Sequence, residues 1–132
     1  MVAIGHFLRL TEGVQWRTPL IVETVVETPG YLALARKLFS EKEMADIVSL
    51  VAVDPKVGDV MEGTGGFRKL RVARQGTGKS GGARVVYIFR NTKYPLFLIT
   101  VFAKNEKGNL SKAERNALRK RADQIFESYR KG

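Results

Sequence analysis

Residues 63–90 read G-T-G-G-F-R-K-L-R-V-A-R-Q-G-T-G-K-S-G-G-A-R-V-V-Y-I-F-R, and the fold turns on how this stretch is read. Two strand-like segments, Phe67–Arg74 and Ala83–Arg90, flank a glycine-rich loop, Gln75–Gly82. The pattern predicts a β-hairpin. Seven basic residues and a single acid, Glu62, fall between Met61 and Arg90. Side chains alternate between the two faces of a strand. Lys69 and Arg71 therefore share a face, and so do Arg68 and Arg74. A hairpin charged in this way lays cationic groups on a sheet surface that receives the phosphates of an RNA.

Downstream, Leu96–Ala103 (L-F-L-I-T-V-F-A) is apolar almost throughout and predicts a central strand, entered by the turn at Tyr94-Pro95. After a polar exit at residues 104–109, Ser111-x-x-Glu114 is a capping box. It opens a helix to about Tyr129 with a buried stripe of Leu118, Ala122, Ile125 and Tyr129. Arg115, Arg119, Lys120 and Arg121 fall elsewhere around that helix.

Upstream, residues 56–66 form a glycine-containing loop. Before it, Ser40-x-x-Glu43 opens a helix whose Met44, Ile47, Val48 and Val51 repeat at helical spacing, ended by Asp54-Pro55. Thr28-Pro29 supplies an N-cap and a first helical residue for a preceding helix carrying Leu32, Ala35 and Phe39. Leu20–Val26 is β-rich and predicts the first strand. Residues 1–18 show no period, and fraying is the expectation for them. The order is β-α-α-β-β-β-α. Such runs argue for an α+β domain, residues 20–132, behind an unassigned arm, residues 1–19. Its antiparallel sheet carries an N-terminal helical hairpin and a C-terminal helix.

The net charge is +10 over 132 residues, unevenly spread. Residues 1–60 carry a net −2, residues 61–90 a net +6 and residues 91–132 a net +6. The step points to a polyanionic partner for the second half. There is no cysteine, so no disulfide and no thiolate metal site. No window approaches the ~18 apolar residues of a membrane span, and the N-terminus lacks the pattern of a signal peptide. These features fit a cytoplasmic chain without a membrane partner.

Ala73–Ser80 (A-R-Q-G-T-G-K-S) is close to a phosphate-binding P-loop. That motif needs a helix after it, because helix N–H groups cradle the phosphates. A strand follows here, so the match is accidental, and Lys79 is left as a contact to a nucleic-acid backbone. His6 is the sole histidine, which argues against histidine general-base chemistry and His-rich metal sites. The working groups of an enzyme built from this chain are then lysines and arginines. Cleavage of RNA by its own 2′-hydroxyl suits that limitation, since the substrate brings the nucleophile and the protein orients it and stabilises charge. The candidates are Lys69, Arg71, Arg84 and Lys104, with Arg68, Arg74, Lys79 and Lys107 as RNA contacts and no metal ligand. For each of them a solvated surface charge is the plain alternative. Tyr87 falls on the opposite strand face from Arg84 and is expected in the core.

Three separated segments, G-T-G-G-F-R-K-L-R, G-K-S-G-G-A-R-V-V-Y and V-F-A-K-N-E-K-G-N-L-S, resemble the HigB-type branch of the RelE/ParE toxin superfamily over about Ile21–Tyr129. The resemblance implies a microbial-ribonuclease-like toxin of a type II toxin–antitoxin pair. It implies metal-free and cofactor-free cleavage of mRNA in the ribosomal A site, and a cognate antitoxin of the helix-turn-helix kind. By position, Lys69 and Arg71 match the paired basic residues that contact RNA, and Arg84 the arginine that stabilises the phosphate transition state. Lys104 lies among the further basic groups. Phe102 stands where related chains often have tyrosine, and no tyrosine near Leu110-Ser111 matches the general base of better-known relatives. Two other readings remain: a non-catalytic inhibitor of DNA gyrase of the ParE kind, and a plain nucleic-acid-binding module.

Overall fold

The computed structural model describes residues 2–4, 22–74, 78–103 and 111–131. Its elements are β1 (Val2–Ile4), β2 (Val25–Glu27), α1 (Pro29–Leu38), α2 (Glu41–Val53), β3 (Asp59–Val60), β4 (Phe67–Arg74), β5 (Gly78–Ile88), β6 (Leu96–Ala103) and α3 (Lys112–Lys131). The six strands form one sheet in the order β1-β2-β6-β5-β4-β3. The chain is thus α+β, with the helical hairpin and C-terminal helix that the sequence predicts.

The helices begin where local chemistry requires. The Thr28 side chain accepts from the Tyr31 N–H, and Pro29 occupies the first turn. Ser40 and Glu43 close a reciprocal capping box, and Ser111 and Glu114 repeat it for α3. Each box satisfies two backbone donors that a helix start leaves open.

The sheet divides the core in two. On one face, α1 and α2 bury Tyr31, Ala35, Ile47 and Val51 against Leu70, Val85, Tyr87 and Leu98. On the other, α3 buries Ala122 and Phe126 against Phe67, Val86, Ile88 and Phe97. β2 contributes Val25 to the first layer and Val26 to the second, as expected of a strand covered on both faces.

Several elements depart from the sequence reading. The sheet is mixed rather than wholly antiparallel: β2 runs parallel to β6, with Val25 opposite Leu96. Between them lie the helical hairpin and strands β3, β4 and β5, so no short turn dictates that pair. The first strand covers Val25–Glu27, and Leu20 lies outside the described residues. Before it, the Glu23 N–H donates to the Ala52 carbonyl at the end of α2 (2.8 Å). Val2–Ile4, expected to fray, pairs antiparallel with β2. β5 begins at Gly78, so part of the expected loop is strand. A Cβ at Gly82 would lie 2.6 Å from the Val72 carbonyl oxygen. Glycine there permits close strand approach beside an irregular register, not a loop. On α3 the buried aromatic is Phe126, while Tyr129 is 49% exposed. The Arg90 guanidinium lies 4.2 Å from the Phe126 ring centroid.

Tyr87 is fully buried, as the strand parity requires. Its hydroxyl donates to the Pro55 carbonyl (2.7 Å) and accepts from the Gly58 N–H (2.9 Å). It ties the loop after α2 to the centre of the sheet, and burial pushes its phenol above the ordinary value. Tyr87→Phe leaves both backbone groups without this partner and is expected to cost about 1–3 kcal/mol in urea unfolding. An unchanged midpoint would show that water replaces the hydroxyl.

Glu27 is buried at the end of β2, and desolvation raises its carboxyl above the ordinary value of 4.5, with Arg36 partly opposing. A raised carboxyl means that the folded state holds the proton more tightly. The associated stability is present below about pH 4.5 and is lost as pH rises through the folded value. Glu27→Gln is therefore expected to raise the melting temperature at pH 7, with the advantage closing as the pH falls toward 4.5. An equal effect at both pH values would refute a titration origin.

Candidate nucleic-acid interface

Two hydrogen bonds at the start of the hairpin fix the parity of everything above them. The Phe89 N–H donates to the Gly66 carbonyl, which points toward β5. The Met61 N–H donates to the Phe67 carbonyl, which points toward β3. Along β4 the backbone groups then alternate. Residues 68, 70 and 72 bond to β5, while residues 67, 69 and 71 direct theirs toward the sheet edge.

Arg71 is directly opposite Arg84, and Lys69 opposite Val86. By the same parity, Arg71 and Arg84 form a non-hydrogen-bonded pair, the kind in which opposite Cα atoms come closest, about 4.5 Å apart. Across the next ladder Arg84 is opposite Phe102, and Val86 opposite Thr100. Lys69, Arg71, Arg84, Thr100 and Phe102 thus lie on one face of the meander, the face that α3 covers lower down at Val86, Ile88 and Phe97. Arg71 is exposed, and Lys69, Arg84, Thr100 and Phe102 are half-buried. Among the described residues no carboxylate pairs with Lys69, Arg71 or Arg84. The Arg84 guanidinium makes one long contact, 3.4 Å, to the neighbouring Ala83 carbonyl.

The other expected residues divide. Arg68 points to the opposite face, where its guanidinium donates to the carbonyls of Gly58 (2.7 Å) and Lys56 (3.2 Å). It braces the loop after α2 and does not join the cationic face. The side chains of Arg74, Lys79, Lys104 and Lys107 lie outside the described residues. Among the described residues no three His, Cys, Asp or Glu side chains converge as metal ligands would.

Arg115 and Arg119, which the sequence reading placed elsewhere around α3 than its buried stripe, meet the loop that leads into β4. Arg119 donates through Nε (3.2 Å) and Nη2 (3.0 Å) to the Gly63 carbonyl. The loop of residues 61–66 turns through positive φ at Gly63, Gly65 and Gly66, a region open to glycine at little cost. Thr64, buried within it, accepts from the Phe67 N–H and donates to the Met61 carbonyl. The signal in the sequence was the i, i+4 spacing of Arg115 and Arg119 beside Leu118 and Ala122.

Two arginines directly opposed on a sheet repel each other, and nothing in the described structure compensates them. Arg71→Thr is expected to raise the unfolding free energy at low salt by about 0.2–1 kcal/mol. The gain should shrink toward 1 M salt, where screening is nearly complete within about 3 Å. Destabilisation at low salt would mean that Arg71 is held by an attraction instead.

The architecture defines an α+β domain with a cationic sheet face, where Asp59 stands opposite Lys69 but, among the described residues, no carboxylate forms an ion pair with Lys69, Arg71 or Arg84. Residues 33–131 match the family model described as the RelE toxin of the RelE/RelB toxin–antitoxin system. The chain belongs to this family of toxins. It is accordingly the toxin of a toxin–antitoxin pair, and it has an antitoxin as partner. Toxins of this family inhibit translation and are in general endoribonucleases. No helix among the described residues is long and apolar enough to cross a membrane.

Proposed function

We propose that the protein is a metal-independent endoribonuclease of the HigB type that cleaves mRNA in the A site of the ribosome in the cytoplasm. The observation that carries this reading is the opposition of Arg71 and Arg84 beside Lys69, three cations on one face that form no ion pair with a carboxylate among the described residues. A fold keeps such a pair at a cost to itself where a polyanion supplies the missing charge. Lys69 and Arg71 contact the phosphates that flank the scissile bond, and Arg84, half-buried between them and Phe102, stabilises charge that develops on the attacked phosphate. Lys104 belongs to the same set, with Arg74, Lys79 and Lys107 as further RNA contacts. The antitoxin is of the helix-turn-helix kind.

In the reaction the substrate's 2′-oxygen forms a bond to the adjacent phosphorus, and the bond from phosphorus to the 5′-oxygen breaks. The 2′-hydroxyl loses a proton and the departing 5′-oxygen gains one. The ends left behind are a 2′,3′-cyclic phosphate and a 5′-hydroxyl. Tyr87 is committed to backbone carbonyl and amide groups on the other side of the sheet and takes no part.

The test is induction of the chain without its antitoxin, followed by mapping of mRNA 5′ ends. New 5′-hydroxyl ends within translated codons are expected, along with growth arrest that Arg84→Ala relieves. Naked RNA should be cut poorly, because the ribosome supplies part of the substrate geometry. Intact mRNA with DNA-damage signalling would overturn the proposal in favour of gyrase inhibition. Undiminished toxicity of Arg84→Ala would remove Arg84 from the mechanism.

A further inference from the structure

Attack by a 2′-oxygen needs an acceptor for the hydroxyl proton. The chain's one histidine, His6, lies outside the described residues. Tyr31 and Tyr87 are buried under α1 and α2. Tyr94 and Tyr129 pack against Phe126 and Phe97 toward the C-terminal end of α3. None of the described tyrosines therefore stands on the cationic face. The described strands carry two carboxylates, Glu27 and Asp59. Glu27 lines a cavity against the helical hairpin, beside Leu32 and Phe39. Asp59 is placed differently.

In the ladder of β3 and β4, Asp59 is directly opposite Lys69. Residues directly opposite share a face of the sheet, so Asp59 stands on the face of Lys69, Arg71 and Arg84. Two residues further along, the Met61 N–H donates to the Phe67 carbonyl. By alternation, Asp59 and Lys69 are then a hydrogen-bonded pair, which fixes the carboxylate's place in the row. Asp59 is exposed and, among the described residues, forms no ion pair. Gly58, just before it, is buried and is held from the other face. Its N–H donates to the Tyr87 hydroxyl (2.9 Å), and its carbonyl accepts from Arg68 (2.7 Å). A Cβ at Gly58 would lie 2.9 Å from the Tyr87 ring and 3.1 Å from the Lys69 carbonyl oxygen. Glycine thus lets β3 sit close against β4. The carboxylate rides on a short strand fastened from beneath, the rigid support that a reacting group needs.

We infer that Asp59 is the general base of the cleavage, an assignment that rests on the ribonuclease reading. Its carboxylate accepts the 2′-hydroxyl proton as the 2′-oxygen bonds to phosphorus. The bond from phosphorus to the 5′-oxygen breaks on the opposite side, and that oxygen takes a proton from water. Asp59 then returns its own proton to water. Arg84 lies one strand beyond Lys69 and one same-face step along. With strands about 4.8 Å apart and a rise of about 3.4 Å per residue, its backbone is about 12 Å from that of Asp59. A phosphate seated over Lys69 and Arg71 falls between the two, with its ribose toward Asp59. The groups facing the carboxylate are Lys69 opposite, Arg71 on the diagonal and Arg84 beyond. These cations outnumber it, so the face still attracts a polyanion.

The test is cleavage of ribosome-bound mRNA by the full chain and by its Asp59→Asn and Asp59→Glu variants, across a range of pH. Asp59→Asn is expected to lower kcat by about 10²–10⁴-fold and to leave KM nearly unchanged. The fall of kcat toward acid pH in the wild-type chain should disappear in that variant. Asp59→Glu keeps a carboxylate and should recover most of the lost rate. The side chain is exposed, so both variants should unfold at the wild-type urea midpoint. Equal cleavage by the wild-type chain and Asp59→Asn at every pH would remove Asp59 from the reaction and leave mRNA cleavage standing. A slow Asp59→Asn that keeps the wild-type pH profile would also overturn the proposal, since it assigns Asp59 a positioning part instead. Ribosome-bound mRNA left intact by the wild-type chain would overturn the ribonuclease reading, and this assignment with it.

Discussion

A one-residue slip of β4 against its neighbours would drive Lys69 and Arg71 under α1 and α2 and expel Leu70 and Val72 from the core. Register in the meander is therefore the constraint on which both the stability and the charge pattern depend. The magnitudes favour the observed register. Each aliphatic side chain buried under α1 and α2 contributes about 1.5–3 kcal/mol. The repulsion of Arg71 and Arg84 in a solvated setting is on the order of 1 kcal/mol. Apolar burial outweighs it, so the fold holds two like charges side by side. The anchors of this register lie at the base of the hairpin: the glycine turn at residues 63–66, buried Thr64, and the bonds at Gly66 and Phe67.

The two faces of the sheet carry different duties. The face toward α1 and α2 is closed, and its polar side chains are spent on structure. Arg68 holds the carbonyls of Lys56 and Gly58, and Tyr87 holds Pro55 and Gly58. The face toward α3 is closed at one end by Ala122 and Phe126 and cationic at the other. Arg119 fastens the loop at Gly63 that leads into β4.

Much of this was legible in the sequence because it is local. Capping boxes at Ser40 and Ser111, the Thr28-Pro29 start, the strand Leu96–Ala103 and the shared face of Lys69 and Arg71 each follow from a few adjacent residues. What was not legible depends on distant partners. The parallel pairing of β2 with β6 is invisible to a window, and so is the use of Val2–Ile4 as a strand. Gly82 looked like loop because its reason, the nearby Val72 carbonyl, lies on another strand. Arg68 was grouped with Lys69 by charge, although the alternation that united Lys69 with Arg71 already assigned it to the other face. Tyr94 and Phe97 meet both rings edge-on, but Phe126 is the nearer, at 4.9 and 5.9 Å against 5.8 and 6.3 Å for Tyr129, and it alone of the two is buried.

The pairing of Val25 with Leu96 also sets an order of events during synthesis. β2 emerges early and has no strand beside it from the middle of the sheet until β6 has been made. The hairpin of β4 and β5 needs only its own residues and can form sooner. The cationic pair is thus assembled on a sheet whose centre is still open, and β2 joins that sheet only across the long separation between Val25 and Leu96. A nascent toxin that stalls before Leu96 has neither its central pair nor the seat on which α3 rests.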